Sequence, residues 1–548
     1  MSEATARPKV ILPEKYYLDY FRYVISFIRQ MYPTMLGEQE EFLKSFEALS
    51  ESAQCLYLRI NGRKGWYFRP SKLSYQEIAD MESTVQELLD TDFVRLADEE
   101  DLPEMVTPIF TKQELHDWLK EQGIDPLPRK SAPRPEIGQA VLAHFEIERF
   151  QDYDQVIAQE QLAHMEIIKI MFFGNPYGDF NQFVVRDVGN VKMPHQKSDN
   201  FKPFFENRAQ IDQQWQILQW YREFKLLVEE EVEAMAIWEW LEDKVEVFET
   251  LFDTSRVISD KFLFRAGQYF EKQQALEEAS KLYGWSSRPE ANERKLRVLI
   301  KLKNDAAAIE YAQWLSSDGP NANLKLLGTD YLKKQGSGKA IRSTTHKIKA
   351  AQVVEVTYSQ ETRIERLVLD HLEDQGYSGF FSENYIWRSL FGLVFWDQLY
   401  AEDAIIHQPL QRLPSDIYAG FYETRKEELL AHLSNFRSKT ALKKWITQKF
   451  DEVEGEGNPF VFWHSQLKSN IECFLQWMKA TQVKAVLLEM SKNPKENCTG
   501  FPDLFVYSKS EYYFYEVKSP NDHLSAQQLF WIDFFEEHSI NVDILRTK

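Results

Sequence analysis

An aspartate, a glutamate and a lysine stand close together near the C-terminal end of this chain, in "PDLFVYSKSEYYFYEVK" (502–518). The runs "LFVY" and "YYFYEVK" read as strands, the polar residues between them close a hairpin, and a helix-like run follows. Asp503 opens the first strand, while Glu516 and Lys518 end the second. Residues two apart in a strand share a face, so Glu516 and Lys518 project together, and an antiparallel partner brings Asp503 beside them. Two carboxylates and an ammonium at one end of an apolar hairpin suit phosphodiester hydrolysis. Hard oxygen ligands hold Mg²⁺ or Mn²⁺, which keeps waters and completes its shell with substrate phosphate. The ion polarises the phosphoryl group and lowers the pKa of a bound water. A nearby lysine orients or deprotonates that water, or offsets charge developing on the phosphate. A solvated hairpin with a surface ion pair would show the same three residues, so the spacing alone leaves both readings open.

The elements that must position this hairpin belong to a long chain. At 548 residues, 43% of them hydrophobic and 14% aromatic, it has enough apolar material for several cores. The N-terminus lacks a signal-peptide pattern, and no run of 18 apolar residues occurs. A soluble, cytoplasmic protein without membrane partners is therefore expected, nucleoid-associated if the source is bacterial. Cys55, Cys473 and Cys498 are too far apart in sequence for a CxxC zinc site. The net charge of −20 argues against nucleic acid only on average, because phosphate is met by local patches. "RINGRKGWYFRPSK" (59–72) holds five Lys/Arg and no acid, and Arg63, Lys64, Arg69 and Lys72 in it are the DNA-binding candidates.

Residues 16–50 carry amphipathic helical periodicity. "CLYLRINGRKGWYFRP" (55–70) reads as a hairpin around a basic loop. "SYQEIADMESTVQELLDTDF" (74–93) reads as a helix capped by Ser74 with Glu77 as capping-box partner. Helices beside a basic hairpin suggest a winged-helix arrangement, or equally a small α/β core with a solvated turn. Residues 110–145 form a helical pair around a Pro-rich basic connection, either a SAP-like DNA-binding pair or an ordinary helical hairpin. From 205 to 330 the pattern is helical. "QQALEEA" (273–279) and "AAAIEYA" (306–312) align at an offset of 33, close to the tetratricopeptide period. Residues 335–350 look like a linker, and 361–400 read as two helices divided at Gly376–Gly379. His464, in "FVFWHSQL", sits among apolar residues and reads as a core or ligand-supporting histidine.

The spacing P-D-x12-E-x-K is the core of the PD-(D/E)xK nuclease superfamily. The whole segment "GFPDLFVY…YEVKSPNDHLSAQQLFW" closely resembles the virus-type replication-repair nuclease domain, and more narrowly the Fanconi-associated nuclease family. "CLYLRINGRKGWYFRPSKLSYQEIA" with "ELLDTDF" is similar to that family's N-terminal DNA-binding region, "GYSGFFSENYIWRSLFGLVFWDQLY" to the helical segment before its nuclease core, and "QRLPSDIYAGFY" to the connection that follows. The resemblance implies that Asp503, Glu516, the carbonyl of Val517 and Glu383 bind Mg²⁺ or Mn²⁺, with Lys518 as the catalytic lysine. At Glu383 this chain has Ser-Glu-Asn where the family often has Gly-Glu-Gly. Gln528 matches a polar position that orients the site or touches phosphate, or simply lies on a helix surface. Animal members carry a ubiquitin-binding zinc finger, for which this chain has no Cys/His cluster. A bacterial-type member without a ubiquitin partner is therefore expected, with the family's basic 5′-phosphate pocket not identifiable.

The expected architecture is multidomain: mainly α-helical N-terminal and middle regions, winged-helix/SAP-like and then helical repeats, followed by a C-terminal α/β PD-(D/E)xK nuclease domain. The expected boundaries are 1–145 for the DNA-binding region, 146–350 for the helical platform and linker, and 351–548 for the nuclease domain, its core at about 455–548. The implied function is a metal-dependent, structure-selective DNA nuclease, a 5′-flap endonuclease and 5′→3′ exonuclease of interstrand cross-link repair acting on branched or 5′-flap DNA. Non-catalytic scaffolding by the helical repeats is the alternative from another class, and a nuclease acting on RNA or of restriction type is the third reading. Oligomeric state is not readable from the residues.

Overall fold

The computed structural model describes residues 12–188, 201–337, 342–358, 361–418 and 420–548. The chain divides into two compact units: the described parts of 1–189 and 203–216, and those of 190–202 and 217–548.

In the first unit, helix Tyr16–Met31 buries Leu18, Phe21, Val24, Ile25 and Ile28, a three-and-four spacing that turns one stripe inward. Helices Glu38–Ala48 and Glu51–Asn61 complete the bundle. A three-stranded antiparallel sheet stands beside it, made of β1 (Tyr67–Phe68), β2 (Val94–Leu96) and β3 (Ile157–Gln159), in the order β1-β3-β2. Three expectations change here. The first arm of the expected hairpin is helical: Ser50 caps it by accepting from the Ala53 N–H (3.2 Å), and Ala53, Leu56, Tyr57 and Ile60 turn inward. β1 pairs with β3, some ninety residues onward, a partnership that no local alternation reveals. The next helix starts at Met81, capped by Asp80, not by Ser74. Glu77 instead accepts from the Tyr17 hydroxyl (2.6 Å) and from Arg59. Because β3 completes this sheet, the first unit extends beyond the expected limit of 145.

Helices Lys112–Glu121 and Arg134–Leu142 form the anticipated pair, the first with a capping box between Thr111 and Glu114. Arg69 ties the pair to the sheet. It is only 6% exposed, donates to Asp154 (2.7 Å) and to both Glu114 oxygens (2.9 and 3.2 Å), and lies on the Phe110 ring. Burial would raise the Glu114 carboxyl, but Arg69 and Thr111 outweigh it and hold the group at about 2. Arg69 is therefore corrected from DNA contact to structural ion pair: two carboxylates already occupy its guanidinium.

After the end of helix Arg208–Glu229, the second unit continues with helices Ala234–Glu242, Val245–Glu249, Arg256–Lys272, Leu276–Trp285, Pro289–Lys301, Asp305–Asp318 and Ala322–Ser337. Ala279 and Ala312 are fully buried. A Cβ on Gly328 would lie 2.5 Å from the Ala312 carbonyl, so small residues do set the helix spacing. The two aligned helices, however, start at Leu276 and Asp305, so Ala275 is a cap while Ala308 lies inside its helix. Most of the expected linker is also helical. Ser343–Ala350 docks through Lys347, which pairs with Asp533 and Glu536 (3.1 and 2.7 Å); positions 338–341 lie outside the described residues.

The C-terminal sheet comprises β4 (Gln352–Val354), β5 (Ser378–Phe381), β6 (Leu504–Tyr507), β7 (Tyr512–Lys518) and β8 (Val542–Thr547), in the order β4-β8-β7-β6-β5. β7 runs antiparallel to β6 and parallel to β8. The expected break between two helices at 376–379 is thus edge strand β5, paired with β6. A Cβ on Gly379 would meet the Phe505 carbonyl at 2.7 Å, which explains glycine in that strand. Phe505 and Phe514 join a large core with helices Ile386–Val394, Leu467–Trp477 and Ala526–Glu537, while Leu504, Val506, Tyr515 and Val517 pack beneath helix Ile364–Asp374. Both sheet faces are covered, as expected for a central strand.

Arg69→Ala should lower stability by about 1–3 kcal/mol, because the buried Arg69 side chain is lost and half-buried Glu114 and Asp154 are left without their cation. Lys72→Ala should stay within about 0.5 kcal/mol. Thermal unfolding of the two variants checks this, and equal melting temperatures would contradict it.

Candidate active site

The register of the hairpin assembles the site. Leu504 pairs with Tyr515, so one position further Asp503 falls opposite Glu516. Asp503, Glu516 and Lys518 are 7%, 1% and 7% exposed. Asp503 Oδ2 accepts from the Val517 N–H at 2.7 Å. In an extended strand a residue's N–H and C=O point to the same side, so the Val517 carbonyl also faces the edge where β6 has just ended. Lys518 Nζ lies 2.8 Å from Glu516 Oε1 and donates to Gln528 Oε1 at 3.1 Å. The Gln528 amide nitrogen donates to Glu516 Oε1 at 2.6 Å. Gln528 is itself set by its capping box with Ser525 at the start of helix Ala526–Glu537. Gln528 thus bridges Lys518 and Glu516 rather than standing free on the helix surface.

Burial drives the electrostatics. It pushes the Asp503 carboxyl up to about 7, with the charges of Glu383 and Glu365 adding to the rise. Glu516 is pushed up to about 8, by burial first and by Asp503 second. Glu516 Oε2 is buried and has no hydrogen-bond partner among the described residues. Such an atom costs about 1–3 kcal/mol, more when charged, and a divalent cation between the carboxylates would remove that penalty. Two hard carboxylates and a carbonyl are the right donor types for Mg²⁺ or Mn²⁺.

Glu383 is exposed and less converged. Its Oε1 accepts from Asn384 Nδ2 (2.9 Å), and among the described residues no group of three Asp, Glu, His or Cys side chains is arranged as a metal cluster. The loop bearing it is nonetheless anchored to the site. The N–H groups of Ser382 and Glu383 donate to the Asp503 carbonyl (2.7 and 3.2 Å), and Ser382 Oγ donates to that of Pro502. Asn384 sits at φ +56° and accepts from the Gly500 N–H (3.0 Å). Glycine takes this left-handed region freely and asparagine tolerates it, so position 384 suits either residue.

Two contributors escaped the reading of the residues. Glu365, in the first turn of helix Ile364–Asp374, acts on Asp503 electrostatically. Asn384 braces the Glu383 loop. Only the third dimension brings either of them to the hairpin. His464 is half-buried rather than part of the core, its ring 5.2 Å from Tyr385 and 5.8 Å from Phe462. In the first unit, Arg63, Lys64 and Lys72 are exposed, with Arg63 resting on the Tyr75 ring.

Adding Mn²⁺ should raise the melting temperature, the stabilisation reaching about 2.7 kcal/mol at a hundredfold excess over Kd. Glu516→Gln should abolish the metal-dependent rise while leaving the metal-free protein as stable as wild type or more so, because one of two adjacent buried acids is gone. Calorimetry with and without metal reads both, and an undiminished rise in Glu516→Gln would place the ion elsewhere.

Known proteins resemble this chain at both ends and along its length. Residues 15–95 match the family described as FAN1, HTH domain, and residues 437–548 match the VRR-NUC domain. The chain is 28% identical to the Fanconi-associated nuclease 1 homolog of Pseudomonas aeruginosa, over 97% of this chain and 96% of that one. It is 22% identical to the Arabidopsis thaliana homolog, over 97% of this chain and 67% of that one. The human Fanconi-associated nuclease 1 aligns at 24% identity over 33% of this chain and 19% of its own length. The fold matches the crystal structure of paFAN1 bound to 2-nucleotide 5′-flap DNA with a gap, with a TM-score of 0.81 and 24% identity over 98% of this chain and 99% of that one. Among the described residues no helix is long and apolar enough to cross a membrane. With both domains present in order and an alignment running almost end to end, the chain carries a FAN1-type HTH domain and a VRR-NUC domain and is similar along its length to the Fanconi-associated nucleases.

Proposed function

We propose that the protein is a structure-selective DNA nuclease that uses Mg²⁺ or Mn²⁺, takes branched and 5′-flap DNA, and serves in the repair of interstrand cross-links. The observation that carries this reading is the buried pair Asp503/Glu516 beside Lys518, with one Glu516 oxygen left without a partner. A scaffold has no use for such a group. Its burial holds the pair in a state that neither stabilises the fold nor suits a surface ion pair.

Asp503, Glu516 and the Val517 carbonyl would hold the metal, with Glu383 contributing from the flanking loop. The bound ion supplies charge neutralisation at the phosphoryl group and a water of lowered pKa. Gln528 fixes both Glu516 and Lys518, so the ammonium stands ready to hold the attacking water or to offset negative charge on the phosphate. Cleavage by attack on phosphorus leaves through the 3′ oxygen, giving a 3′-hydroxyl and a 5′-phosphate. Residues 351–548 would do the cutting, with the helical array as platform and the N-terminal region as DNA grip through Arg63, Lys64 and Lys72. These act on phosphate, so binding follows backbone shape and weakens steeply with salt. Exonucleolytic trimming in the 5′→3′ direction and cutting near a flap junction are two outcomes of the same site. The expected location is the cytoplasm, on nucleoid DNA in a bacterium.

An end-labelled 5′-flap substrate with Mn²⁺ tests the reading. The wild-type protein should cut near the junction. Asp503→Ala and Lys518→Ala should each lose at least a hundredfold in rate, in line with removal of a metal ligand or of an electrostatic stabiliser, while flap binding persists. Cutting that survives both substitutions would place the active site elsewhere, and binding without any cutting would favour the scaffold.

A further inference from the structure

Beside the Glu383 loop lies a surface that hydrolysis itself does not require. The segment 456–464 crosses the helix Ile386–Val394, and its backbone is pinned at each step. Asn458 Nδ2 donates to the Gly392 carbonyl (3.3 Å), and Asn458 Oδ1 accepts from the Phe460 N–H (2.9 Å). The Phe462 N–H donates to Ser389 Oγ (3.2 Å), and Trp463 Nε1 donates to the Glu456 carbonyl (2.7 Å). A Cβ at Gly392 would stand 2.8 Å from Val461 and 3.0 Å from Phe460, so that glycine makes the seat. Phe460 and Val461 are buried in it, yet Phe462 between them and Trp463 is 66% exposed. A free loop would fold such a ring away from water; this one is held out. Its inner edge continues as a chain of rings, Phe462 to His464 (5.8 Å) to Tyr385 (5.2 Å), ending two residues from Glu383.

Arg388 stands in the first turn of the same helix. Its guanidinium donates to the Pro459 carbonyl (3.0 Å), its Nε is buried without a partner, and it makes no ion pair among the described residues. In a chain of net charge −20, an arginine steered by a carbonyl and left without a carboxylate is available to an anion.

We propose that Phe462 and Arg388 form a nucleotide-holding subsite next to the nuclease centre, Phe462 stacking an unpaired base and Arg388 taking the neighbouring backbone phosphate. This rests on the nuclease reading and adds a cause for its selectivity. A base still paired within duplex hides its face, so only a strand opened at a branch or flap offers a partner to Phe462. Every base has a π face and every nucleotide a phosphate, so the subsite is blind to sequence. It brings a strand to the Asp503/Glu516 edge by its unstacked geometry.

The test uses full-length protein and 5′-flap DNA carrying 2-aminopurine at successive positions around the junction, first bound in EDTA and then cut with Mn²⁺. Wild-type protein should quench the fluorophore at one or two positions, and Phe462→Ala should remove that quenching without lowering the melting temperature. Flap cleavage at sub-saturating substrate should fall about tenfold in Phe462→Ala, the order expected for one stacked base, recover in Phe462→Trp, and stay low in Phe462→Leu. Arg388→Gln should reduce the salt dependence of flap binding by about one unit of slope. Three results would overturn the subsite: no Phe462-dependent quenching at any position, wild-type cleavage by Phe462→Ala, or full recovery with Phe462→Leu, which would mark a packing or protein-docking residue. The quenching arm needs no catalysis, so wild-type protein that quenches but does not cut would sink the nuclease reading and leave the subsite standing.

Discussion

Two carboxylates buried side by side at the end of a central strand set the terms for the rest of the nuclease domain. Asp503 and Glu516 are each nearly inaccessible, and each charge is unfavourable for the other. Such an arrangement holds only if the backbone fixes it from both directions. β7 does this by pairing with β6 on one side and β8 on the other, while phenylalanines and aliphatic residues close both faces. The Val517 N–H, Lys518 and Gln528 supply partial compensation, and one oxygen of Glu516 keeps no hydrogen-bond partner among the described residues. Proteins break such packing rules mainly at functional sites and satisfy them elsewhere.

The same reasoning separates the basic residues of the N-terminal unit. Arg63, Lys64, Arg69 and Lys72 look alike as letters in one positive window. Arg69 is enclosed by Glu114 and Asp154 and joins the helical pair to the three-stranded sheet, so its charge is already spent inside the protein. The other three project into water, where their charge stays available to phosphate. Net acidity of the whole chain does not prevent this, because screening confines the influence of most of those acids to about 10 Å.

Much of the nuclease edge was legible in the residues because its signals are short-range. Period-two patterning, a polar turn and a Glu-x-Lys at the end of a strand lie within seventeen positions, and the antiparallel register follows from the turn. Where the reading failed, the missing information was long-range or ambiguous in period. "CLYLRIN" satisfies strand alternation and helix burial equally, and the Ser50 cap together with the core it faces decided for helix. β1 and β5 are short strands whose partners lie far along the chain. The segment 343–350 carries the composition of a linker but becomes a helix because Lys347 and Ile348 find partners on helix Ala526–Glu537 and its surroundings.

By itself, then, the order of amino acids determined which groups could do chemistry, their spacing along one hairpin, and the succession of helical and mixed regions, since these follow from local backbone preference and periodicity. Tertiary structure alone decided which of those groups share a dry environment. It withdrew Arg69 from the surface, left Glu383 at the rim rather than between the other carboxylates, brought Glu365 within electrostatic reach of Asp503, and held Phe462 out in water. Burial and charge coupling depend on distances between residues far apart in the chain, and only the folded chain sets those distances.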